Sequence, residues 1–258
     1  MIYETLTYGV DQDIAVITLN RPTVMNALNT QMRAEIMDAM RKAGQAARVV
    51  VLTGSGRAFC SGQDLGAEGN FADIDLERTL KDEYVPMLKA ITECPVPTIS
   101  AVNGPAAGAG ANLALAADVV IAAESAYFVQ AFTRIGLIPD AGGTYLLPRQ
   151  MGLAKAMGAA LFADKIYARQ ASEMGMIWES VADEKFASQW QARAAHLATG
   201  PTETYGHLKT AIRQSLSNSE EQQLELEARL QGACGRTRDF KEGVTAFLDK
   251  RVAKFEGR

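Results

Sequence analysis

The stretch AVNGPAAGAGANLALAADVVIA, residues 101–122, carries one apolar run into another through a segment built almost wholly of Gly and Ala. TISAVNG (98–104) before it and DVVIAAESAYFV (118–129) after it read as strands, with GANLALAA (110–117) as a short helix between them. VVVLTG (49–54) repeats the strand signal, and an unbroken apolar run ending at glycine suits a strand covered on both faces. TQMRAEIMDAMRKAGQ (30–45) supplies the helix ahead of it, and residues 2–8 and 14–19, rich in Ile, Val, Thr and Tyr around an Asp-Gln-Asp turn, predict an antiparallel hairpin. Strand–helix alternation to about residue 150 makes this an α/β chain. From Leu153 to Phe255 the periodicity is helical, broken at TGPTE (199–203) and near GACGR (232–236). No Pro/Ser/Gly linker sets that region apart, so it is expected to be a helical appendage of the same structural unit.

The chain has 258 residues and a formal net charge of −4, a field that repels nucleic acid and anionic membranes. Cys60, Cys94 and Cys234 are too widely spaced for a disulfide framework or a CxxC motif. The opening MIYETLTYGVDQD lacks an apolar targeting core, and the most apolar later stretch, 111–123, is interrupted by Asn112 and Asp118. A cytoplasmic protein without export or membrane span is expected.

Several familiar motifs fail on inspection. TGSGRAFCSGQDLGAEG (53–69) has no Gly-Lys-Ser/Thr and so lacks the P-loop lysine and metal ligand, while GAGANL (108–113) ends in Leu113 where GxGxxG needs glycine. His196 and His207 lie in the helical region away from any Gly-x-Ser-x-Gly elbow, and Cys60 has no basic neighbour to activate it. What remains is a pair of Gly-rich loops. Unpaired N–H groups where a helix begins near Gly108, together with one from the 60–65 turn, could hold a developing oxyanion; close helix–sheet packing would demand the same small residues. A lone carboxylate, Asp140 in RIGLIPDAGGTYLLPR (134–149), can be read as a helix cap or as a catalytic base.

Four motifs, RPTVMNALN (21–29), GRAFCSGQDL (56–65), the 101–122 stretch and GLIPDAGGTYLLPR (136–149), resemble in order the signatures of the crotonase (enoyl-CoA hydratase/isomerase) superfamily over nearly the whole chain. The resemblance implies a spiral of ββα turns over residues 1–195 and a C-terminal helical region, 196–258, that covers the site and builds a homotrimer or dimer of trimers. It implies oxyanion donors at the backbone N–H of Gln63 and Ala109, whose side chains are therefore free to vary. CoA contacts are expected from Val24, Met25, Ala27, Arg57, Ala58, Ser61, Asp64, Leu65 and Gly110. The two glutamates of hydratases fall at Asn112 and Phe132, here expected to line the pocket. Neither can ionise, so water addition lacks both its acid and its base.

Asp140 stands where the dienoyl-CoA isomerase and chlorobenzoyl-CoA dehalogenase branches carry a working aspartate. Capping explains an aspartate there but leaves the missing glutamates unexplained, which favours catalysis. One carboxylate suffices to remove an alpha proton and return it elsewhere, and Phe132 would dry the pocket for a ring. GLIPDAGGTYLLPR, with AAGAGANLAL (106–115) before it and EMGMIW (173–178) after it, is most similar to the ring-1,2-epoxyphenylacetyl-CoA isomerases of phenylacetate breakdown, which form the oxepin thioester. The expectation is an acyl-CoA isomerase with no metal and no cofactor beyond the CoA of its substrate. Rivals are an enoyl- or dienoyl-CoA isomerase of fatty-acid metabolism, and a non-catalytic RNA binder using Arg33, Arg41, Lys42 and Arg48 along the first long helix.

Overall fold

A computed structural model of the chain describes residues 3–66 and 75–258. Strands β1 (Leu6–Asp11) and β2 (Ile14–Leu19) pair antiparallel with Asp11 opposite Ile14. Gln12 and Asp13 close the hairpin with φ of 48° and 61°, the left-handed pair that a two-residue turn needs to match strand twist. The first strand therefore runs on to Asp11, beyond its expected end at residue 8.

Helix α1 (Thr30–Ala46) begins at Asn29, whose side chain accepts a hydrogen bond from the Met32 N–H at 2.9 Å. Strands β3 (Val49–Gly54), β4 (Thr98–Val102), β6 (Val119–Ala123) and β9 (Glu179–Val181) then join β2 in parallel, in the order β1-β2-β3-β4-β6-β9. Both α1 and α8 (Asp183–Ala198) pack on β3, and Val49–Leu52 are buried on both faces, as the apolar run predicts.

A second, smaller sheet makes the spiral. It contains β5 (Ala106–Ala107), β7 (Tyr127–Val129) and β8 (Ile166–Tyr167), and bridges from Leu28 to Gln63 and from Cys60 to Ala106 extend it. After β3, β4 and β6 in turn the chain leaves the large sheet and returns through the small one. The stretch 118–129 is consequently two strands in two sheets, turning at exposed Glu124 and Ser125 where the Ala126 N–H bonds the Ala123 carbonyl at 2.9 Å. Both strands are apolar and almost wholly buried, which is why the stretch reads as one strand.

A helical stretch not legible in the sequence spans α2 (Leu76–Thr79), a wide π-type turn (Leu80–Tyr84) and α3 (Val85–Thr92). The wide turn comes just before Pro86, whose missing N–H would break a regular ladder. Helix α4 (Ala109–Leu115) links the two sheets, and α5 (Gly143–Met151), α6 (Leu153–Phe162) and α7 (Ala168–Glu173) precede β9. Helix α8 runs through the expected boundary between residues 195 and 196, and α9 (Thr202–Ser215), α10 (Glu220–Cys234) and α11 (Arg238–Leu248) follow. Among the described residues no helix is long and apolar enough to cross a membrane.

The loop 21–29 is tied to the loop after β3 by one fully buried amide. Asn26 accepts from the Arg21 N–H at 2.9 Å and donates to the carbonyls of Ser55 (2.9 Å), Ala58 (2.9 Å) and Phe59 (3.2 Å). Truncating it removes the donor that serves the carbonyls after β3 and the acceptor of the Arg21 N–H in the first loop. Asn26→Ala is therefore expected to cost about 2–4 kcal/mol and to lower the melting midpoint by roughly 5–10 °C. Thermal unfolding followed by circular dichroism measures this; an unchanged midpoint would show that the two loops hold together without the amide.

Candidate active site

A cavity of about 280 Å³ opens between the loop after β3, the 76–84 helical stretch, the start of α4 and the segment 131–140. Its walls are apolar: Leu65, Leu80, Phe132, Ile135 and Leu137 contribute, and Leu76, Thr79, Leu80 and Tyr84 face it from successive helical turns. Gln63, Ala109, Phe132, Ser61, Leu65 and Asp140, widely separated in sequence, all meet here.

The two loops approach because they carry no side chains at the contact. A Cβ on Gly62 would lie 2.7 Å from the Ala107 carbonyl oxygen and 3.5 Å from the Ala109 nitrogen; one on Gly110 would lie 2.3 Å from the Cys60 carbonyl oxygen. Leu28 donates to Gly62 O at 2.8 Å and accepts from Asp64 N at 3.0 Å, a parallel bridge that turns the Gln63 N–H to the opposite side. Ala109 is the first residue of α4, so its N–H stands outside the intrahelical ladder. Both positions border the cavity.

Asp140 is half-buried, and its side chain does not cap α5. The N-cap of that helix is Gly142, with no side-chain cap bond, and nothing among the described residues donates to the buried Asp140 Oδ1. The capping reading is thereby corrected: the main chain at 140–143 closes its own turn, with Gly143 N–H on the Asp140 carbonyl at 2.8 Å. Desolvation without a compensating donor pushes the carboxyl from 3.8 up to about 6.

Asn112 does not line the cavity, contrary to expectation. It is fully buried behind Asp140, where its Nδ2 donates to the Asp140 carbonyl at 2.7 Å and its Oδ1 accepts from Gln130 Nε2 at 2.9 Å. The amide is committed to the backbone carrying the carboxylate. Phe132 is a wall residue, as expected, and its ring lies 3.7 Å from where a Cβ on Gly108 would sit.

The expected CoA-contact residues divide by exposure. Val24, Arg57 and Leu65 are exposed, and Ser61 joins the first loop by donating its N–H to the Met25 carbonyl at 3.0 Å and its hydroxyl to the Val24 carbonyl at 3.2 Å. Ala27 and Ala58 are buried and offer at most main-chain contacts. Gly110 is buried against Cys60 and does not border the cavity, because the close approach that requires glycine also shuts it in. Asp64 is likewise buried, paired with Arg21 at 2.7 Å and accepting from Gly66 N–H at 3.1 Å, so it ties the loop.

Cys60 is fully buried and its thiol is pushed up to about 12, which leaves it protonated and inert. His196 is exposed and His207 lies between α9 and α10, both away from the cavity lining. The basic stripe imagined on the first helix is largely engaged: Arg33 is buried, Lys42 pairs with Asp38, and Arg48, beyond the helix end, bonds Thr202 and the Phe255 carbonyl. Among the described residues no three His, Cys, Asp or Glu side chains converge as metal ligands would. Tyr84, Leu80, Ile135 and Leu137 border the cavity without having been singled out in the sequence; the apolar i, i+4 pair Leu76–Leu80 was the available signal, hidden by Pro86.

Residues 9–258 match the family model described as enoyl-CoA hydratase/isomerase. A protein from Rhodobacter capsulatus described as a probable enoyl-CoA hydratase is 60% identical over 258 residues, covering 100% of both chains. A 1,2-epoxyphenylacetyl-CoA isomerase from Escherichia coli is 45% identical over 99% of each. The crystal structure of an enoyl-CoA hydratase from Bacillus anthracis superposes with a TM-score of 0.91 at 29% identity, covering 99% of this chain and 100% of that one. With the two-sheet spiral and C-terminal helices described above, these likenesses identify the chain as a member of the enoyl-CoA hydratase/isomerase family, the crotonase superfamily of enzymes that act on CoA thioesters.

Proposed function

We propose that the protein is an acyl-CoA isomerase, with ring-1,2-epoxyphenylacetyl-CoA as substrate and the oxepin thioester as product. The observation that carries this reading is Asp140, the one carboxylate among the described residues that border a largely apolar cavity. Asp140 takes the alpha proton as the C–H bond breaks, and the electron pair moves onto the thioester oxygen. The main-chain N–H groups of Gln63 and Ala109 hold that enolate oxygen. The ring C–C bond that the epoxide oxygen spans opens as the ring double bonds shift, which makes the seven-membered oxepin, and Asp140 then gives the proton to a ring carbon of the conjugated system, so no water is consumed and no redox partner is needed. A carboxyl held near 6 is suited to both halves of the shuttle.

Likeness to the E. coli isomerase supports the substrate. The likeness to the R. capsulatus protein favours water addition instead, and against it stand Asn112, committed to the Asp140 carbonyl, and Phe132, which cannot orient a nucleophile. A double-bond isomerase of fatty-acyl-CoA would use the same carboxylate; substrate choice separates it, and turnover of epoxyphenylacetyl-CoA at least tenfold above enoyl- and dienoyl-CoA thioesters is expected. Hydration of crotonyl-CoA as the fastest reaction would overturn the isomerase reading.

The loops 24–27 and 57–65 would hold the CoA moiety. A second copy of this chain is the partner proposed for α6, where Leu153, Met157 and Leu161 form an exposed apolar row at helical spacing, in a homotrimer or dimer of trimers. Light scattering giving a monomer mass would refute that assembly.

Asp140→Asn is expected to lower kcat by about 10²–10⁴-fold, with thioester binding retained. In the wild type, kcat/KM should fall as pH drops through about 6, since the base must be ionised. Stability runs the other way. The folded carboxyl titrates above its unfolded value of 3.8, so Asp140's stabilising contribution is full below that value and lost as pH rises through about 6. Asp140→Asn should therefore gain stability relative to wild type between pH 4 and 7, as urea midpoints across that range would record; a constant difference would mean the carboxyl is not held up by burial.

A further inference from the structure

Behind the cavity wall lies a cation with no exposed side-chain surface, Arg33 of α1. Its Nη1 donates to Gln63 Oε1 at 2.7 Å and to the Leu28 carbonyl at 2.9 Å, its Nη2 to Thr30 Oγ1 at 3.1 Å, and its Nε to Glu83 Oε2 at 2.8 Å. The guanidinium carbon also lies 4.9 Å from the centre of the Tyr84 ring, and the Tyr84 hydroxyl donates to the same Gln63 Oε1. Tyr84 and Gln63 both border the cavity.

These contacts grip Gln63 from two directions. Leu28 is the residue whose N–H and carbonyl bond the main chain on either side of Gln63, and Arg33 holds that carbonyl. Arg33 and Tyr84 together hold the side-chain oxygen of Gln63 itself. A buried guanidinium is costly unless its donors are met, and replacing such a group by apolar residues often does no harm to stability. Its specific use is therefore geometric: the planar fork fixes several acceptors at once. Glu83, its ionic partner, keeps 28% of its side-chain surface exposed, so solvent screens that negative charge more than it screens Arg33.

We propose that Arg33 is a positioning residue of the oxyanion site: through Leu28 and the Gln63 side chain it sets the Gln63 N–H that receives the enolate oxygen, with Tyr84 as the second clamp. This rests on the reading of Gln63 as an enolate donor in the proposed function. It also changes the expectation that the side chain at 63 is free to vary, because a truncated residue would give up the bonds to Arg33 and to the Tyr84 hydroxyl together.

The test is exchange of the alpha protons of phenylacetyl-CoA in D₂O, which reads enolate formation without requiring isomerisation. Wild type should exchange. Arg33→Met and Gln63→Leu should each slow exchange at saturating thioester at least tenfold while its Kd moves less than threefold, and the double variant should lose no more than the worse single one. Arg33→Lys, which keeps the charge but gathers its donors on one nitrogen, should fall more than threefold below wild type while staying above Arg33→Met, and it decides the matter should Arg33→Met fail to fold. Exchange within threefold of wild type in Arg33→Lys or Arg33→Met, losses that multiply in the double variant, or a loss confined to Kd would overturn the role of Arg33 alone. A wild type that turns over acyl-CoA without exchanging alpha protons would overturn the enolate reading itself, and this inference with it.

Discussion

The site depends on main chain meeting main chain. Between the loop after β3 and the segment leading into α4, the Gly62 Cα faces the Ala107 carbonyl and the Gly110 Cα faces the Cys60 carbonyl, each at a separation that leaves no space for a Cβ. Hydrophobic packing alone would hold such loops a side chain apart. The bridge between Cys60 and Ala106 sets their register, and the Ala107 N–H confirms it with a 2.9 Å bond to the Cys60 carbonyl. The spiral thus does more than bury apolar surface: crossing from one sheet to the other brings two peptide groups, at 63 and 109, to the rim of one cavity.

Around that backbone frame, buried amides share the fixing with the charges of Arg33 and Asp64. Asn112 joins the Gln130 side chain to the carbonyl of Asp140, and Asn26 joins the first loop to three carbonyls after β3. A neutral amide can be buried fully at modest cost when its donors and acceptor are met, whereas a carboxylate in the same place would shift its pKa or demand a partner. Among the described residues the one partnerless buried carboxyl oxygen is at Asp140, which borders a largely apolar cavity, and an amide holds the carbonyl of that residue. Rigidity of the backbone and a raised pKa of the side chain are separate effects, supplied by separate neighbours.

Much of this was legible in the sequence and some was not, for identifiable reasons. The β3 run and the α1 helix follow from periodicity because burial on one or two faces imprints it directly, and the strand–helix alternation carries the α/β class. The corner at Glu124–Ser125 escaped because the strands on both sides are buried and apolar throughout, and the 76–92 helix because Pro86 reads as a breaker when it only follows a widened turn. Asp140 stood out as an isolated carboxylate, but whether it capped α5 was decided by which atoms reach Gly142–Thr144, a matter of turn geometry. The direction of Asn112 was equally hidden: on a helix buried all round, every residue faces something, and periodicity has no solvent side to refer to. Arg33 reads as one charge of a solvated stripe until its side chain is found folded inward.

The contrast between water addition and isomerisation comes down to what can be fitted at two places. At 112 the space is already filled, since a Cβ on Gly143 would sit 2.4 Å from the Asn112 amide nitrogen, and a glutamate there would need room for one more methylene while giving up the bond to the Asp140 carbonyl. At 132 an aromatic ring forms the wall, and a glutamate in its place would bring a hydrated carboxylate into the cavity. Either change also acts on Asp140, the first by loosening its backbone and the second by wetting its carboxyl and returning its pKa toward the ordinary range. Under the isomerase reading proposed above, the absence of glutamates at 112 and 132 and the raised pKa of Asp140 belong to one physical arrangement, and adding a hydrating group would weaken the base.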